Sequence, residues 1–355
     1  MTPRCPSDIT DISGTNQSAG DFIVSVIIPI FNAAPFLECA VLSALEQPEV
    51  GEVVLVDDGS TDESFTVAKN LQERHPGRVT LSSHPGHAHK GPGETRNLGL
   101  EKAHFPFIAF LDADDWYLPG YFQYDKIAFE KDPQLEMVRH PLGNGWNPND
   151  TTQEWYPEYA GQDTARAVFY SRVDDPNPKN YFASLYPLGD VSSGVAGTLT
   201  IRRSLIDSVG YFPPRDWAED VALHLKLAAV GTIAFADMGN PLAMRRIHVD
   251  NLSRRKAGQQ TERIDAMGTT LLEVADFAKR RNLPWRKKVA LHRGWLRHAR
   301  MYARYPSYAM LQKLPWAALS PRLLLSYAAL YLRLAVGLIL KWHFPEPGYQ
   351  NHFRR

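Results

Sequence analysis

The sequence has very little cysteine and no apolar run at its start. Only two cysteines, Cys5 and Cys39, occur among 355 residues, which excludes a disulfide framework and favours a reducing compartment. The first 20 residues are rich in Ser, Thr, Asp and Gly and contain no stretch of signal-peptide length. We therefore expect a disordered leader at 1–20 and a cytoplasmic protein. Internal repeats and a Gly-rich phosphate loop of the P-loop kind are also missing.

Net charge is absent as well, because 39 Lys and Arg balance 39 Asp and Glu. The balance is uneven along the chain, since residues 281–355 hold 14 Lys and Arg and a single acidic residue, Glu346. A basic tail on an acidic body predicts either an anionic partner for the tail or docking of the tail on the body.

What the sequence does have, from Val24 onward, is a succession of short apolar runs alternating with helical patterns. This succession is typical of an α/β fold with a mostly parallel sheet covered by helices. The predicted strands are 24–30, 52–56, 79–81, 107–111, 196–201 and 232–236, and the predicted helices are 35–47, 60–74, 94–104, 204–209 and 218–229. Ser60 and Glu63 have the spacing of a capping box for the second helix. Residues 140–190 break the pattern as a long insertion, and helices alone follow Arg255.

Three aspartates, Asp112, Asp114 and Asp115, directly follow the apolar run 107–111. Such a group repels itself unless a cation compensates it, and carboxylates are hard ligands suited to Mg²⁺ or Mn²⁺. The alternative is that Asp115 caps a helix near 116–123, which leaves the other two aspartates unexplained.

A second acidic pair, Asp57 and Asp58, ends the run 52–56. In open α/β sheets ligands bind beyond the carboxyl ends of the strands. A carboxylate there can accept hydrogen bonds from a nucleobase or from ribose hydroxyls. Helix capping is the competing explanation for both residues.

Four motifs carry a family resemblance together, in order and at plausible spacing. They are VSVIIPIFN at 24–32, EVVLVDDGSTD at 52–62, GPGETRNLGL at 91–100 and FIAFLDADD at 107–115. This succession resembles the nucleotide-binding half of the inverting family 2 glycosyltransferases, which have the GT-A (Rossmann-like) fold. The resemblance continues more loosely through 217–227 and 245–255. It implies a GT-A domain at 21–256, with a nucleotide-binding half at 21–116 and an acceptor half at 117–256, followed by a basic helical region at 257–355.

The resemblance implies a nucleotide-sugar donor, with a UDP-sugar favoured. Asp58 would pair with the base and Asp57 would support it, while Asp112 would face the ribose. Asp114 would bind Mn²⁺ or Mg²⁺, with Asp112 and His248 as further ligands, although a lone His is more often structural. The donor-site residues carried over are Pro29, Asn32, Asp57, Asp58, Arg96, Asn97, Asp112 and Ala113.

An inverting transfer needs a base for the acceptor hydroxyl, and the resemblance puts Asp220 in that position. Glu219 is then a candidate for binding the acceptor, a saccharide or a lipid-linked molecule. Trp146 and Trp155, in the insertion, are candidates for stacking on its sugar rings. The competing explanation for the acidic pair is a favourable charge at a helix N-terminus.

The tail is both basic and apolar. A densely basic helix is predicted at 285–303, with Trp285 and Trp295, and residues 323–340 are almost wholly apolar apart from Arg333. Attachment to an anionic membrane surface is one explanation. Packing on the catalytic body and an oligomer interface are the others. Nucleic acid is not expected, because no recognised nucleic-acid module appears.

Two other functions compete with sugar transfer. Nucleotidyl transfer usually needs a Gly-rich loop near the first strand, which here ends in Pro29, Ile30, Phe31 and Asn32. A non-catalytic adaptor that binds a nucleotide-sugar would not need the acids at 112, 114 and 220. A zinc site in the HPGHAH run at 84–89 is disfavoured, because its spacing fits no common tetrahedral framework.

Overall fold

The described residues, 22–146, 168–248 and 260–302 of the computed structural model, form eleven strands and nine α-helices. The strands are β1 Val24–Ile30, β2 Val50–Asp57, β3 Val79–Ser83, β4 Phe107–Phe110, β5 Trp116–Tyr117, β6 Met137–Arg139, β7 Leu142–Trp146, β8 Val168–Ser171, β9 Leu199–Arg202, β10 Ile233–Phe235 and β11 Ala243–Ile247. The helices are α1 Ala34–Leu45, α2 Ser64–Arg74, α3 Pro92–Lys102, α4 Gln123–Lys131, α5 Pro178–Ser184, α6 Arg203–Val209, α7 Glu219–Val230, α8 Gln260–Arg280 and α9 Trp285–Tyr302.

Seven strands form the central sheet, in the order β10-β6-β9-β4-β1-β2-β3. Strand β9 is antiparallel to both of its neighbours, and the other pairs are parallel. Ile30 pairs with Asp57, so β1 and β2 end side by side. The mostly parallel α/β sheet is therefore confirmed, and it brings the carboxyl ends of β1, β2 and β4 to one edge.

The core lies on both faces of this sheet because side chains alternate along each strand. On β1, Val26 and Ile28 point into the cluster that contains Leu37 and Val41 of α1. Ile27 points into the opposite cluster, with residues of α3, α6 and α7. Helices on both faces are thus confirmed.

A second sheet of four short strands, in the order β5-β11-β7-β8, was not predicted. Strand β11 runs parallel to β7, while β5 and β8 are antiparallel to their neighbours. The interval 140–190 was predicted as an irregular insertion, yet it supplies β7, β8 and α5. The prediction failed because strands of four or five residues containing Gly143 and Gly145 carry a weak periodic signal.

Two predicted helix starts are wrong. Helix α2 begins at Ser64 and has no side-chain cap, so Ser60 and Glu63 do not form a capping box. The Ser60 hydroxyl instead accepts a hydrogen bond from the backbone N–H of Asn32. The segment after Asp115 is the strand β5 and not a helix, so Asp115 caps nothing there.

Helices α8 and α9 pack on the body of the protein. Val274, Phe277 and Leu291 join the same core cluster as the buried residues of α7. Trp295 is buried, whereas Trp285 is 70% exposed. Docking of this part of the tail on the body is therefore what the structure shows.

Among the described residues, no helix is both long and apolar enough to cross a membrane. The leader at 1–20, the boundary at 256 and the apolar segment 323–340 lie outside the described residues.

Candidate active site

The acidic cluster lies just beyond β4. Carboxylate oxygens of Asp112, Asp114 and Asp115 all fall within 4.8 Å of one another. Burial raises the pKa of Asp115 well above its ordinary value, and the charges of Asp114 and Asp112 raise it further. Three converging hard oxygen ligands with mutual repulsion fit a divalent cation, which would relieve that repulsion.

His248 stands against this cluster, at the end of β11. Its Nε2 lies 2.9 Å from Oδ2 of Asp114. The ring of Phe36 on α1 packs against the imidazole, with 4.5 Å between ring centroids. The structure thus brings together the two residues predicted as metal ligands from positions 134 residues apart.

Arg246 connects β11 to the acidic cluster through two hydrogen bonds. Its backbone N–H donates to Oδ1 of Asp115 at 2.8 Å, and its Nε donates to the Asp114 carbonyl at 3.0 Å. Its guanidinium lies over Trp116 and Phe36, at 4.6 and 5.3 Å from the ring centroids. The sequence prediction missed this role. The alternation of a strand, which puts Arg246 and His248 on one face, is the signal that could have found it.

Arg96 joins the acidic cluster to helix α7. Its guanidinium donates to Oδ1 of Asp112 at 2.8 Å and to Oε1 of Glu219 at 3.0 Å. Although burial alone would lower the pKa of Arg96, Asp112 and Glu219 raise it above its ordinary value. Both terminal nitrogens of Arg96 thus contact carboxylates. Arg96 was predicted to contact the donor, and in the structure it positions Asp112 and Glu219.

Asn97 was also predicted to line the donor site. Its Nδ2 donates to the carbonyl of Phe212 at 2.9 Å, and its Oδ1 accepts from the N–H of the same residue at 3.0 Å. Both ends of the amide therefore hold the segment that leads to α7. This contact positions α7 and does not itself point to a ligand.

Glu219 and Asp220 open helix α7, directly after Ala218, whose φ is +57°. Burial raises the pKa of Asp220, while Arg96 lowers it. Burial and then the charge of Asp220 raise the pKa of Glu219 to about 7, against the opposing effect of Arg96. Such raised values suit acids that exchange protons near neutral pH. Oδ1 of Asp220 accepts from the N–H of Val221, and Oδ2 faces the turn at Gly194.

Asp57 and Asp58, at the end of β2, both accept hydrogen bonds from backbone N–H groups. The carboxylate of Asp58 accepts hydrogen bonds from the N–H groups of Lys90 and Gly91, at 2.6 and 2.9 Å, and contacts His89. Asp57 accepts from Gly59 and Ser60 through Oδ2, and its buried Oδ1 has no hydrogen-bond partner among the described residues. The pairing of Asp58 with a base stays a prediction, and the Oδ1 of Asp57 is a second oxygen at this strand end that could accept a hydrogen bond.

The other predicted site residues lie at the same edge or outside the described chain. Pro29 is the last residue but one of β1, and Ala113 is buried within the acidic cluster. Asn32, at φ +51°, accepts from the N–H groups of Thr61 and Asp62 and so joins the turns after β1 and β2. Trp146 ends β7, and Trp155 lies outside the described residues.

The histidine run at 84–89 forms no metal-ligand group. His84 contacts the hydroxyl of Thr95 through Nε2 at 3.2 Å, and His89 contacts Asp58. Within the described ranges, the group of three or more ligating side chains that converges is the aspartate trio.

The mostly parallel sheet with helices on both faces is the fold of the GT-A glycosyltransferases. Residues 25–180 match the family model described as Glycosyl transferase family 2, which confirms the family that the motifs predict for this segment. Succinoglycan biosynthesis protein ExoU of Rhizobium meliloti is 42% identical over 97 residues, and an uncharacterized glycosyltransferase of Haemophilus influenzae is 41% identical over 95 residues. These stretches cover 27% and 26% of this chain, but only 28% and 37% of the relatives' own lengths.

Solved structures are similar over more of the chain. TarS of S. aureus superposes with a TM-score of 0.58 at 17% identity, covering 90% of this chain and 55% of TarS. The structure of TarS 1–349 in complex with UDP gives a TM-score of 0.55 at 18% identity, covering 90% and 91% of the two chains. At this identity the likeness shows the fold alone.

Proposed function

We propose that the protein is an inverting glycosyltransferase that moves a sugar from a nucleoside-diphosphate donor to an acceptor hydroxyl. The observation that carries the proposal is the junction made by Arg96, whose guanidinium contacts both Asp112 of the acidic cluster and Glu219 beside Asp220. An acidic cluster that could hold a cation and an acid with a raised pKa are thereby joined through one side chain. Sugar transfer needs both groups, one for the leaving group and one for the incoming hydroxyl.

Asp114 would hold Mg²⁺ or Mn²⁺, with Asp112, Asp115 and His248 beside it. The fit rests on the carboxylate oxygens of the three aspartates, which all lie within 4.8 Å of one another. When bound, such an ion neutralises charge on a diphosphate leaving group. The contact of His248 with Asp114 orients the carboxylate whether or not the imidazole itself is a ligand.

Asp220 would take the proton from the acceptor hydroxyl as the oxygen attacks the anomeric carbon. The bond to the diphosphate breaks on the opposite side, and the anomeric centre inverts in one displacement. The raised pKa of Asp220 makes it a stronger base than an exposed aspartate. Arg96 keeps Glu219 and Asp112 in place around this step.

The nucleotide would lie at the ends of β1 and β2, among Pro29, Asn32, Asp57 and Ala113. The unpartnered, buried Oδ1 of Asp57 suits an imide N–H of a uracil base, and Asp58 would support the loop that closes over it. The UDP complex of the similarly folded TarS supports a UDP-sugar as the first donor to test.

Asp114→Asn tests the metal and the reaction together. With a panel of UDP- and GDP-sugars in Mn²⁺ or Mg²⁺, wild type should hydrolyse or transfer at least one donor, and the variant should lose on the order of 10² to 10³ of that rate. Asp174→Asn, which alters an exposed ion pair with Arg172, is the matched control and should keep the wild-type rate. Unchanged metal dependence and turnover in Asp114→Asn would overturn the proposal.

For the acceptor we propose a saccharide or lipid-linked chain in polysaccharide or other glycoconjugate assembly. Similarity to ExoU and to the minor teichoic acid biosynthesis protein GgaB of Bacillus subtilis, 31% identical over 131 residues, supports this class. A cytoplasmic location fits the low cysteine content. The alternative of a nucleotide-sugar-binding adaptor predicts binding without turnover.

The exposed side of α9 supports a further partner, an anionic membrane surface. Trp285, Arg286, Lys288 and Arg293 all lie exposed there, next to Arg281. Each basic side chain near an anionic bilayer contributes about 1 kcal/mol. The full chain should sediment with phosphatidylglycerol vesicles and not with phosphatidylcholine vesicles, and Arg286→Gln/Lys288→Gln should weaken this. Equal sedimentation with both vesicles would contradict it.

A further inference from the structure

One face of the four-stranded sheet carries a set of side chains that no predicted role uses. Arg245 on β11 pairs with Asn144 on β7, and the guanidinium of Arg245 lies over the ring of Tyr170 on β8. Cross-strand partners, and residues two apart on one strand, share a face of a sheet. Asn144, Tyr170 and Arg245 therefore stand on the same face. The opposite face carries Arg246 and His248, which contact the acidic cluster.

Tyr170 is a large aromatic side chain that remains 48% exposed on this face. Its ring lies over the guanidinium of Arg245, with 4.6 Å from the guanidinium carbon to the ring centroid. The cation holds the ring from one side, so the orientation of the exposed ring is fixed before any ligand arrives. A pre-oriented aromatic ring beside a cleft is a surface on which an apolar face of a sugar can lie.

Asn144 adds a polar group to the same face. The residue is 8% exposed, and its Oδ1 has no hydrogen-bond partner among the described residues. A buried amide oxygen without a partner is unfavourable by about 1–3 kcal/mol, so such groups generally serve a bound molecule or water. An acceptor of this kind suits a hydroxyl donor.

This face is turned toward the proposed base. A Cβ at Gly197 would lie 3.1 Å from Leu142 of β7 and 3.4 Å from Ala243 of β11, which share the face of Asn144 and Arg245. A Cβ at Gly194, three residues earlier in the same turn, would lie 3.6 Å from Oδ2 of Asp220. Although about half of its surface is exposed, desolvation raises the pKa of Tyr170; Arg245 lowers it, and the charges of Asp220, Asp115 and Asp112 raise it. The ring thus stands within the field of the catalytic acids.

We propose that Tyr170 and Asn144 form the acceptor subsite, where a saccharide ring of the acceptor lies on the Tyr170 ring and gives a hydroxyl hydrogen bond to Oδ1 of Asn144. The inference rests on the proposed sugar transfer and names the acceptor as a saccharide. The donor nucleotide occupies the other side of the acidic cluster, at the ends of β1 and β2. An acceptor on Tyr170 approaches Asp220 from the four-stranded sheet and therefore does not compete with the nucleotide.

The test separates acceptor binding from donor chemistry. Saturation-transfer NMR on the full chain with UDP and Mg²⁺ measures binding of methyl β-D-glucopyranoside, methyl β-D-galactopyranoside and methyl N-acetyl-β-D-glucosaminide. Donor hydrolysis, with water as acceptor, and thermal stabilisation by UDP report the donor side. The variants are Tyr170→Ala, Tyr170→Phe and Asn144→Leu, and Tyr124→Ala removes a similarly exposed tyrosine on α4 as the matched control.

Wild type should bind at least one glycoside, and Tyr170→Ala should weaken that binding by about tenfold or more. Tyr170→Phe keeps the ring and should retain binding, while Asn144→Leu should weaken it and Tyr124→Ala should not. Donor hydrolysis and stabilisation by UDP should stay unchanged in all four. Failure of wild type to bind any of the glycosides, unchanged binding in Tyr170→Ala, or equal loss of donor hydrolysis in that variant would overturn the acceptor assignment. Absence of donor turnover in wild type, with glycoside binding intact, would instead count against the proposed reaction.

Discussion

The two sheets of this protein differ in what they contribute to the acidic cluster. The seven-stranded sheet places Asp57 at the end of the buried strand β2 and Asp112 two residues after the buried strand β4. The four-stranded sheet is built from short strands distant in the chain, and it contributes Arg246 and His248, which hold the neighbouring acids Asp115 and Asp114. The difference shows that the first sheet presents the charges and the second fixes their geometry.

Arg96 connects the acidic cluster after the seven-stranded sheet to helix α7, so its removal should have the largest effect. Arg96→Met leaves the carboxylates of Glu219 and Asp112 without their cation, and loss of one partner of a buried pair destabilises by about 3 kcal/mol or more. Urea denaturation checks this. Arg78→Met is the control, because Arg78 donates only to the carbonyls of Leu45 and Val50 in its described contacts and should lose about 1 kcal/mol. Equal losses of unfolding free energy in Arg96→Met and Arg78→Met would mean that the contacts of Arg96 with Asp112 and Glu219 do not stabilise the fold.

A smaller effect is expected within the four-stranded sheet. Gly145 pairs with Arg246, and a Cβ added there would lie 2.3 Å from the ring of Trp116. Gly145→Ala should therefore destabilise by about 1–3 kcal/mol and displace the ring on which Arg246 packs. Adding Trp116→Leu should restore part of the loss, since the obstructing ring is then gone. A wild-type melting curve for Gly145→Ala alone would contradict this packing.

The smallest expected effect is a shift in the pH dependence of kcat/KM. A base acts in its ionised form, and burial raises the pKa of Asp220 above 3.8, so the rate should fall as the pH is lowered through this raised pKa. Arg96 lowers the pKa of Asp220. Arg96→Met should therefore raise that pKa and move the acid limb of kcat/KM to higher pH. An acid limb of kcat/KM that stays in place or moves to lower pH would show that the ionisation of Asp220 does not control the rate.

The edge where β1, β2 and β4 end could be predicted from sequence because its signals are local. Apolar runs of four to eight residues that end in Asp57 or Asp112 identify a buried strand and the acid after it. The roles of Asp57 and Asp58 were harder to divide, because the Asp58 carboxylate is held by Lys90 and Gly91, more than 30 residues away. The sequence shows two adjacent acids and not the loop that occupies one of them.

The four-stranded sheet could not be predicted for a related reason. Strand β5 has two residues and β8 has four, and their partners come from β11 and β7. Such short strands form because the sheet and the acidic cluster hold them, so tertiary contacts override a weak local preference. Tyr170 was missed with them, because its strand β8 was not predicted.

The most direct test of the account is Asp220→Asn, which removes the proposed base and keeps the size of the side chain. With the donor that wild type turns over, transfer should fall by about 10² to 10⁴, while thermal stabilisation by UDP and Mg²⁺ stays at the wild-type value. That result would place proton removal at Asp220 and nucleotide binding elsewhere. Equal transfer by wild type and Asp220→Asn, or nucleotide binding without turnover in both, would contradict the account, and the second outcome would favour the adaptor.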